Sequence, residues 1–104
     1  MQYIVRFNVS KTSEYRQWVL ENATAIAENA PQGWTYVGSW FTLQGFGRYD
    51  CEVRWELDDY SALGAGWGNK TYQRLLAEWG EYVEDSETYL MKSAADVSMP
   101  GDGE

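Results

Sequence analysis

Two stretches of this chain place charged or polar residues at every second position. Arg6 and Asn8 lie in Gln2 to Val9, and Glu52, Arg54 and Glu56 lie in Asp50 to Leu57. Side chains two apart on a strand share a face and stand roughly 6.5–7 Å apart. Glu52 and Glu56 would then flank Arg54, with Arg6 in reach from a neighbouring strand. Such a polar floor suits catalysis: a carboxylate takes a proton while an arginine polarises a ligand oxygen. Arg6, Glu52, Arg54 and Glu56 are the catalytic candidates, and Asn8 a ligand-binding one. The same residues also suit a cross-strand ion-pair ladder that fixes sheet register. An arginine beside each carboxylate lowers its pKa and makes it a poorer base near neutrality, which favours the ladder.

A second group is aromatic. Trp34, Tyr36 and Trp40 recur at even positions, and Gly38 between them leaves room for a flat ligand against the rings. Tyr36, Gly38 and Trp40 are therefore ligand-binding candidates, although such rings serve interfaces equally well. A third group, Gly64 to Thr71, nearly matches the phosphate loop G-x-x-x-x-G-K-[ST], but Asn69 stands where the second glycine belongs. The strand that such a loop needs just upstream is also missing. A hinge at the rim of a pocket mouth is the plainer reading. Trp18, Tyr72 and Trp79 fall on helical stripes and read as core without chemistry.

Composition removes several activities. The chain has no histidine. Ser-His-Asp and Cys-His catalysis, histidine-ligated zinc and histidine-ligated haem therefore fall away in their usual forms. Cys51 is the only cysteine, so no intrachain disulfide forms, and its apolar alternation marks it as a small core residue. No calcium-loop spacing is present, and no cofactor is expected. Eight basic residues oppose sixteen carboxylates, for a net charge of −8. That field repels nucleic acid and anionic lipid. It suits plain solubility or a salt-rich cytoplasm. No signal-peptide core and no run of 18 apolar residues is seen, so a cytoplasmic protein without a membrane span is expected.

Those candidates must be positioned by a small set of elements. The 104 residues suit one domain. Gln2 to Val9 alternates with period two and predicts a strand. Tyr15, Trp18, Val19, Asn22, Ala23, Ile26 and Ala30 recur at helical steps, after possible caps in Ser10 to Ser13 and before Pro31. Trp34 to Gln44 predicts a second strand, a glycine turn follows, and Asp50 to Leu57 predicts a third. Asp58-Asp59 caps a short turn through Leu63, Lys70 to Glu84 predicts a second helix, and Glu87 to Ser93 a last strand. The domain spans 1–94, with a flexible tail at 95–104. This βαββαβ order is the ferredoxin-like α+β pattern: a four-stranded antiparallel sheet with both helices on one face. Strand 3 inserts between strands 1 and 2. The other face then carries Ile4, Arg6, Asn8, Glu52, Arg54 and Glu56 with Trp34, Tyr36 and Trp40. Six Trp, eight Tyr and three Phe are more than one small core needs, so that face calls for a partial cover. Two sheets packed around a two-fold axis would supply it and enclose a lumen.

From about Gln2 to Ser93 the chain resembles the dimeric α+β-barrel superfamily. The likeness rests on the element order and on two phrases, Gly33 to Trp40 (GWTYVGSW) and Arg54 to Leu63 (RWELDDYSAL). The second resembles the NIPSNAP-like and antibiotic-biosynthesis-monooxygenase-like branches. The resemblance implies a homodimer and admits cofactor-free oxygenases, polyketide cyclases, isomerases, haem-dependent enzymes and members without known activity. Branches that depend on histidine do not fit. Two readings stand. One is a cofactor-independent oxygenase, cyclase or isomerase on a small aromatic compound, with Tyr36 and Trp40 holding it. The other is a non-catalytic ligand-binding or structural module.

Overall fold

Strict alternation in Gln2–Val9 gives strand β1 over the residues expected. The computed structural model describes residues 1–43, 47–64, 66, 68–93 and 95. It continues with helix α1 (Thr12–Glu28), strands β2 (Trp34–Phe41) and β3 (Cys51–Leu57), a 3-10 turn at Tyr60–Gly64, helix α2 (Lys70–Tyr82) and strand β4 (Val83–Met91). The sheet order is β2-β3-β1-β4, antiparallel throughout. β3 lies between β1 and β2, and β1 is central, as the sequence predicts. The fold is ferredoxin-like α+β. Among the described residues no helix is long and apolar enough to cross a membrane.

The two helices begin differently. Asn69 caps α2 by accepting the Tyr72 backbone N–H at 2.8 Å, which satisfies one of the free donors of the first turn. α1 starts from Lys11 without a side-chain cap, so the serines and threonine expected there do not serve. Glu14 in its first turn complements the helix dipole instead. At its other end α2 passes straight into β4: Val83 closes the helix with φ −82 and ψ 128, already extended. The strand therefore begins four residues before the expected Glu87. Before the glycine-rich stretch stands the Tyr60–Gly64 turn and not a strand. The phosphate-loop architecture is thus not formed, and Ala65 and Trp67 lie outside the described residues. So does the expected tail, apart from Ala95.

The core lies between the helices and one face of the sheet. Phe7 and Val9 enter it from β1, and Cys51, Val53, Trp55 and Leu57 from β3. Tyr15 and Trp18 descend from α1, Tyr72 and Leu75 from α2. Burying each such side chain is worth about 1.5–3 kcal/mol. Phe7 meets Tyr15 and Trp79 edge-on, with ring centroids 5.6 and 5.1 Å apart.

β2 departs from simple alternation. Trp34 pairs with Leu57 and Tyr36 with Trp55, but Gly38 then pairs with Arg54 and Trp40 with Glu52. Val37 is the extra residue of a β-bulge, and Gly38 takes φ +154 there. One inserted residue reverses the facing of everything after it. Trp34 and Tyr36 precede the bulge and, opposite core residues Leu57 and Trp55, turn toward the helices, not to the open face as the sequence predicts. Trp40 alone of the three stands on the open face.

Candidate functional site

The charged candidates on the open face come together only in part. Arg6 and Glu52 are cross-strand partners, and Arg6 Nε donates to Glu52 Oε1 at 3.0 Å. Arg54 Nε donates to the other oxygen, Oε2, at 2.5 Å. Burial pushes the Glu52 carboxyl up, but these two bonds outweigh it and hold its pKa below the ordinary value. One carboxylate shared by two guanidinium groups is an ion-pair ladder and a weak base. Glu56 does not join them: it receives the N-terminal ammonium of Met1 at 3.0 Å and the side-chain amide of Gln2. Asn8 faces the β2–β3 turn, donating to the Arg48 carbonyl at 3.3 Å and accepting the Asp50 N–H at 3.0 Å. Arg54 lies 5.4 Å from the centre of the Trp40 ring. The space expected beside Gly38 is taken by that ring, because a Cβ on Gly38 would stand 3.2 Å from it. Arg6 and Glu52 border a hollow of about 380 Å³ on this face, with Arg48, Tyr49 and Tyr89.

The better-formed cavity is on the other side of the sheet. It holds about 230 Å³ between the helices and the strands. Its walls are mainly apolar, with Trp55 and Val53 below and Trp18, Leu75 and Leu76 above. Neutral polar side chains are also among the lining residues, including Tyr15, Tyr36, Ser39, Tyr72 and Trp79. Tyr36 and Ser39 bond to each other at 2.5 Å. Among its lining residues only Ser86 and Thr88, on edge strand β4, are exposed. That edge is therefore where the cavity meets solvent. No carboxylate, lysine or arginine is among the lining residues. Burial raises the Tyr15 phenol strongly, against a smaller opposing pull from Trp79 and Ser39, and lifts Tyr72 to about 12. All these groups are neutral near pH 7. The arrangement can hold a flat apolar molecule and donate hydrogen bonds to it; it has no general base.

Of the aromatic candidates, Tyr36 belongs to this cavity, but toward the helices and not toward a dimer lumen. Tyr15, Ser39 and Trp79 were not singled out by the sequence. Tyr15 and Trp79 sit on helical stripes that read as core, and Ser39 reaches the cavity only because of the bulge. Among the described residues no group of acidic or cysteine side chains is placed to hold a metal ion.

No protein-family model matches this chain, and no curated protein sequence matches it. Solved structures do. An uncharacterized NIPSNAP domain protein from Burkholderia xenovorans superposes with a TM-score of 0.66 at 19% identity, covering 95% of this chain and 100% of that one. A DABB family protein with a ferredoxin-like fold, from Mesorhizobium loti, gives 0.65 at 15% identity, with coverage of 88% and 96%. SnoaB, a cofactor-independent oxygenase from Streptomyces nogalater, gives 0.59 at 9% identity, with coverage of 92% and 96%. The likeness settles the fold: it is ferredoxin-like α+β, shared with an uncharacterized NIPSNAP domain protein, a DABB family protein and a cofactor-independent oxygenase. At these identities the likeness is one of fold alone.

Proposed function

We propose that this protein binds a small, mostly apolar ring compound in the cavity between its helices and its sheet. The observation that carries this reading is the cavity itself: about 230 Å³, walled by aromatic rings from both helices and the sheet. A cavity of about 150 Å³ takes a benzene, so this one has room for one or two fused rings. Catalysis, where it occurs, would be cofactor-independent oxygenation, cyclisation or isomerisation. The fold shared with a cofactor-independent oxygenase supports that extension. The absence of any lining carboxylate weighs toward binding without proton abstraction. A second reading keeps Arg6, Glu52, Arg54 and the hollow beside them as the site, with Glu56 and Asn8 outside it. In either case we propose a homodimer formed through the open face.

The two sites are separable by substitution. Ligand binding is followed by tryptophan fluorescence against a panel of one- and two-ring aromatics. Val5→Phe fills the helix-side cavity from β1, and Glu52→Gln removes the hub of the open-face ladder. Binding should be abolished by Val5→Phe and kept by Glu52→Gln. The reverse pattern would move the site to the open face.

A further inference from the structure

Along β1 the sheet grades from sealed to open on its helix side. Phe7 and Val9 are 0% and 7% exposed, whereas Val5 and Tyr3, on the same face, are only half-buried. The cause lies in β4. Val83 pairs with Val9, Ser86 with Phe7, Thr88 with Val5 and Leu90 with Tyr3. Cross-strand partners share a face, so these four β4 residues lie on the helix side. Val83 packs against the core, but Ser86, Thr88 and Leu90 are exposed. No helix therefore seals the middle of β4. The gap is bridged at both ends. At one, α2 runs into β4 without a loop, from Tyr82 to Val83. At the other, the Lys92 ammonium stands 5.7 Å from the centre of the Tyr60 ring and joins the end of β4 to the 3-10 turn. Between the two bridges the cavity is lined by Ser86 and Thr88 from β4 and by half-buried Leu76 and Trp79 from α2.

We infer that an uncharged ring compound enters and leaves the cavity between β4 and α2, over Ser86 and Thr88, and that these two short side chains set how fast it passes. This rests on the cavity reading above and gives that site its entrance. The other walls offer no path. The floor is a hydrogen-bonded sheet, in which β1 is paired with β3 on one side and β4 on the other, and nothing passes between paired strands. Toward α1 the Tyr15, Trp18 and Tyr82 rings meet one another, with centroids 5.5 to 6.1 Å apart. Beside Ser86 and Thr88 no ring stands in the way. An obstacle at an entrance resists entry and exit alike. It changes both rates and leaves affinity to the walls within. Ser86 and Thr88 are thus gate residues, distinct in their effect from Val5, Val53 and Trp55 deeper in the cavity.

1-Nitronaphthalene is uncharged, has two rings and quenches tryptophan fluorescence; Trp18, Trp55 and Trp79 line the cavity. Its association and dissociation rates are followed by stopped flow on the full chain and on Thr88→Phe, Ser86→Phe and Thr88→Ala. Each phenylalanine should slow both rates by about tenfold while Kd stays within about threefold, because an obstacle in the path leaves the bound state alone. Thr88→Ala should speed both. Met91→Phe adds bulk to β4 on the open face, where Met91 pairs with Gln2, and should change neither. Unchanged rates in both phenylalanine variants place the path elsewhere and overturn the inference, with the cavity reading left standing. A Kd weakened about tenfold at an unchanged association rate overturns it too, since the two residues would then hold the bound ligand and not gate it. If the wild type shows no quenching, or Val5→Phe still binds the probe, the cavity reading falls and the entrance falls with it. Both positions are exposed on an edge strand, where an aromatic side chain suits the backbone. If one phenylalanine variant fails to fold, the other carries the test.

Discussion

At Tyr15, burial works against a polar group. Its hydroxyl is buried without a partner, so removing that one oxygen removes an uncompensated desolvation, worth about 1–3 kcal/mol. Tyr15→Phe is therefore expected to melt at or above the wild-type temperature in the absence of ligand. A drop of several degrees, on the scale of about 1 kcal/mol, would mean the hydroxyl is bonded and structural. Glu52 gives the opposite case, a polar group whose partners are all present. Its folded pKa lies below the ordinary 4.5, because the hydrogen bonds from Arg54 and Arg6 outweigh the upward push of burial. A depressed carboxyl contributes stability that is complete above its unfolded pKa and is lost as pH falls through the folded one. Urea unfolding followed downward from pH 7 should show stability falling below about pH 4.5. In Glu52→Gln that acid limb should flatten, while stability at pH 7 drops because two guanidinium groups lose their shared acceptor. A wild type and a variant with parallel pH curves would show the ladder to be solvent-screened.

Among the elements, β2 decides what the site is made of. The bulge at Val37 puts Tyr36 and Ser39 on the cavity side together, three residues apart where plain alternation would separate them. It depends on Gly38, whose φ of +154 other residues rarely adopt and whose missing Cβ makes room for the Trp40 ring. Gly38→Ala should cost about 1–3 kcal/mol, seen as a lower urea midpoint with an unchanged slope. Gly80→Ala in α2 is the control. It meets open space and should be neutral or gain up to about 1 kcal/mol of helix propensity. The same bulge marks the limit of what the sequence made legible. β1 and β3 alternate without interruption in sequence, so their faces could be assigned residue by residue, and Arg6 in reach of the β3 carboxylates followed, of which Glu52 takes it and Glu56 does not. β2 could not be read that way: a bulge leaves no mark in hydropathy beyond a glycine, and it set Trp40 on the face opposite to Trp34 and Tyr36. The first half of β4 was hidden for a different reason. As an edge strand it pairs through its backbone with β1, while Glu84, Asp85, Ser86 and Glu87 remain exposed, so no apolar period announces it. Tyr15 and Trp79 were visible as buried helix residues. Whether a buried phenol is bonded depends on a cavity that only three-dimensional packing creates.

For the whole molecule, the open face of the sheet is the unresolved energy. Helices cover one face, and the other keeps Ile4 buried at 4% exposure while leaving Trp40 at 46% and Met91 at 49%. Two such faces packed about 10 Å apart, as stacked sheets do, would cover those side chains and give the homodimer proposed above. Against that stands the charge: each copy carries −8, and like charges repel over the Debye length. That length is about 30 Å at 0.01 M salt and about 8 Å at 0.15 M. Apolar burial does not weaken as salt rises, whereas the repulsion does. Light scattering at micromolar concentration should therefore report about twice the chain mass at moderate salt, with the dimer fraction falling as salt is removed. Trp40→Glu adds a charge to the covered face, on edge strand β2, and should give a monomer at every salt concentration. Arg6→Leu should weaken the dimer less, because Arg54 still holds Glu52, though the lost positive charge deepens the repulsion. Arg6→Lys should be milder still, since it keeps the charge and loses only the fork geometry of the guanidinium. The sign of the salt effect is the decisive reading. A dimer that loosens as salt is added would be held by ion pairs crossing between the sheets, with the Arg6–Glu52–Arg54 ladder at its centre. A monomer under all conditions would leave Trp40 facing water and remove the covered face altogether.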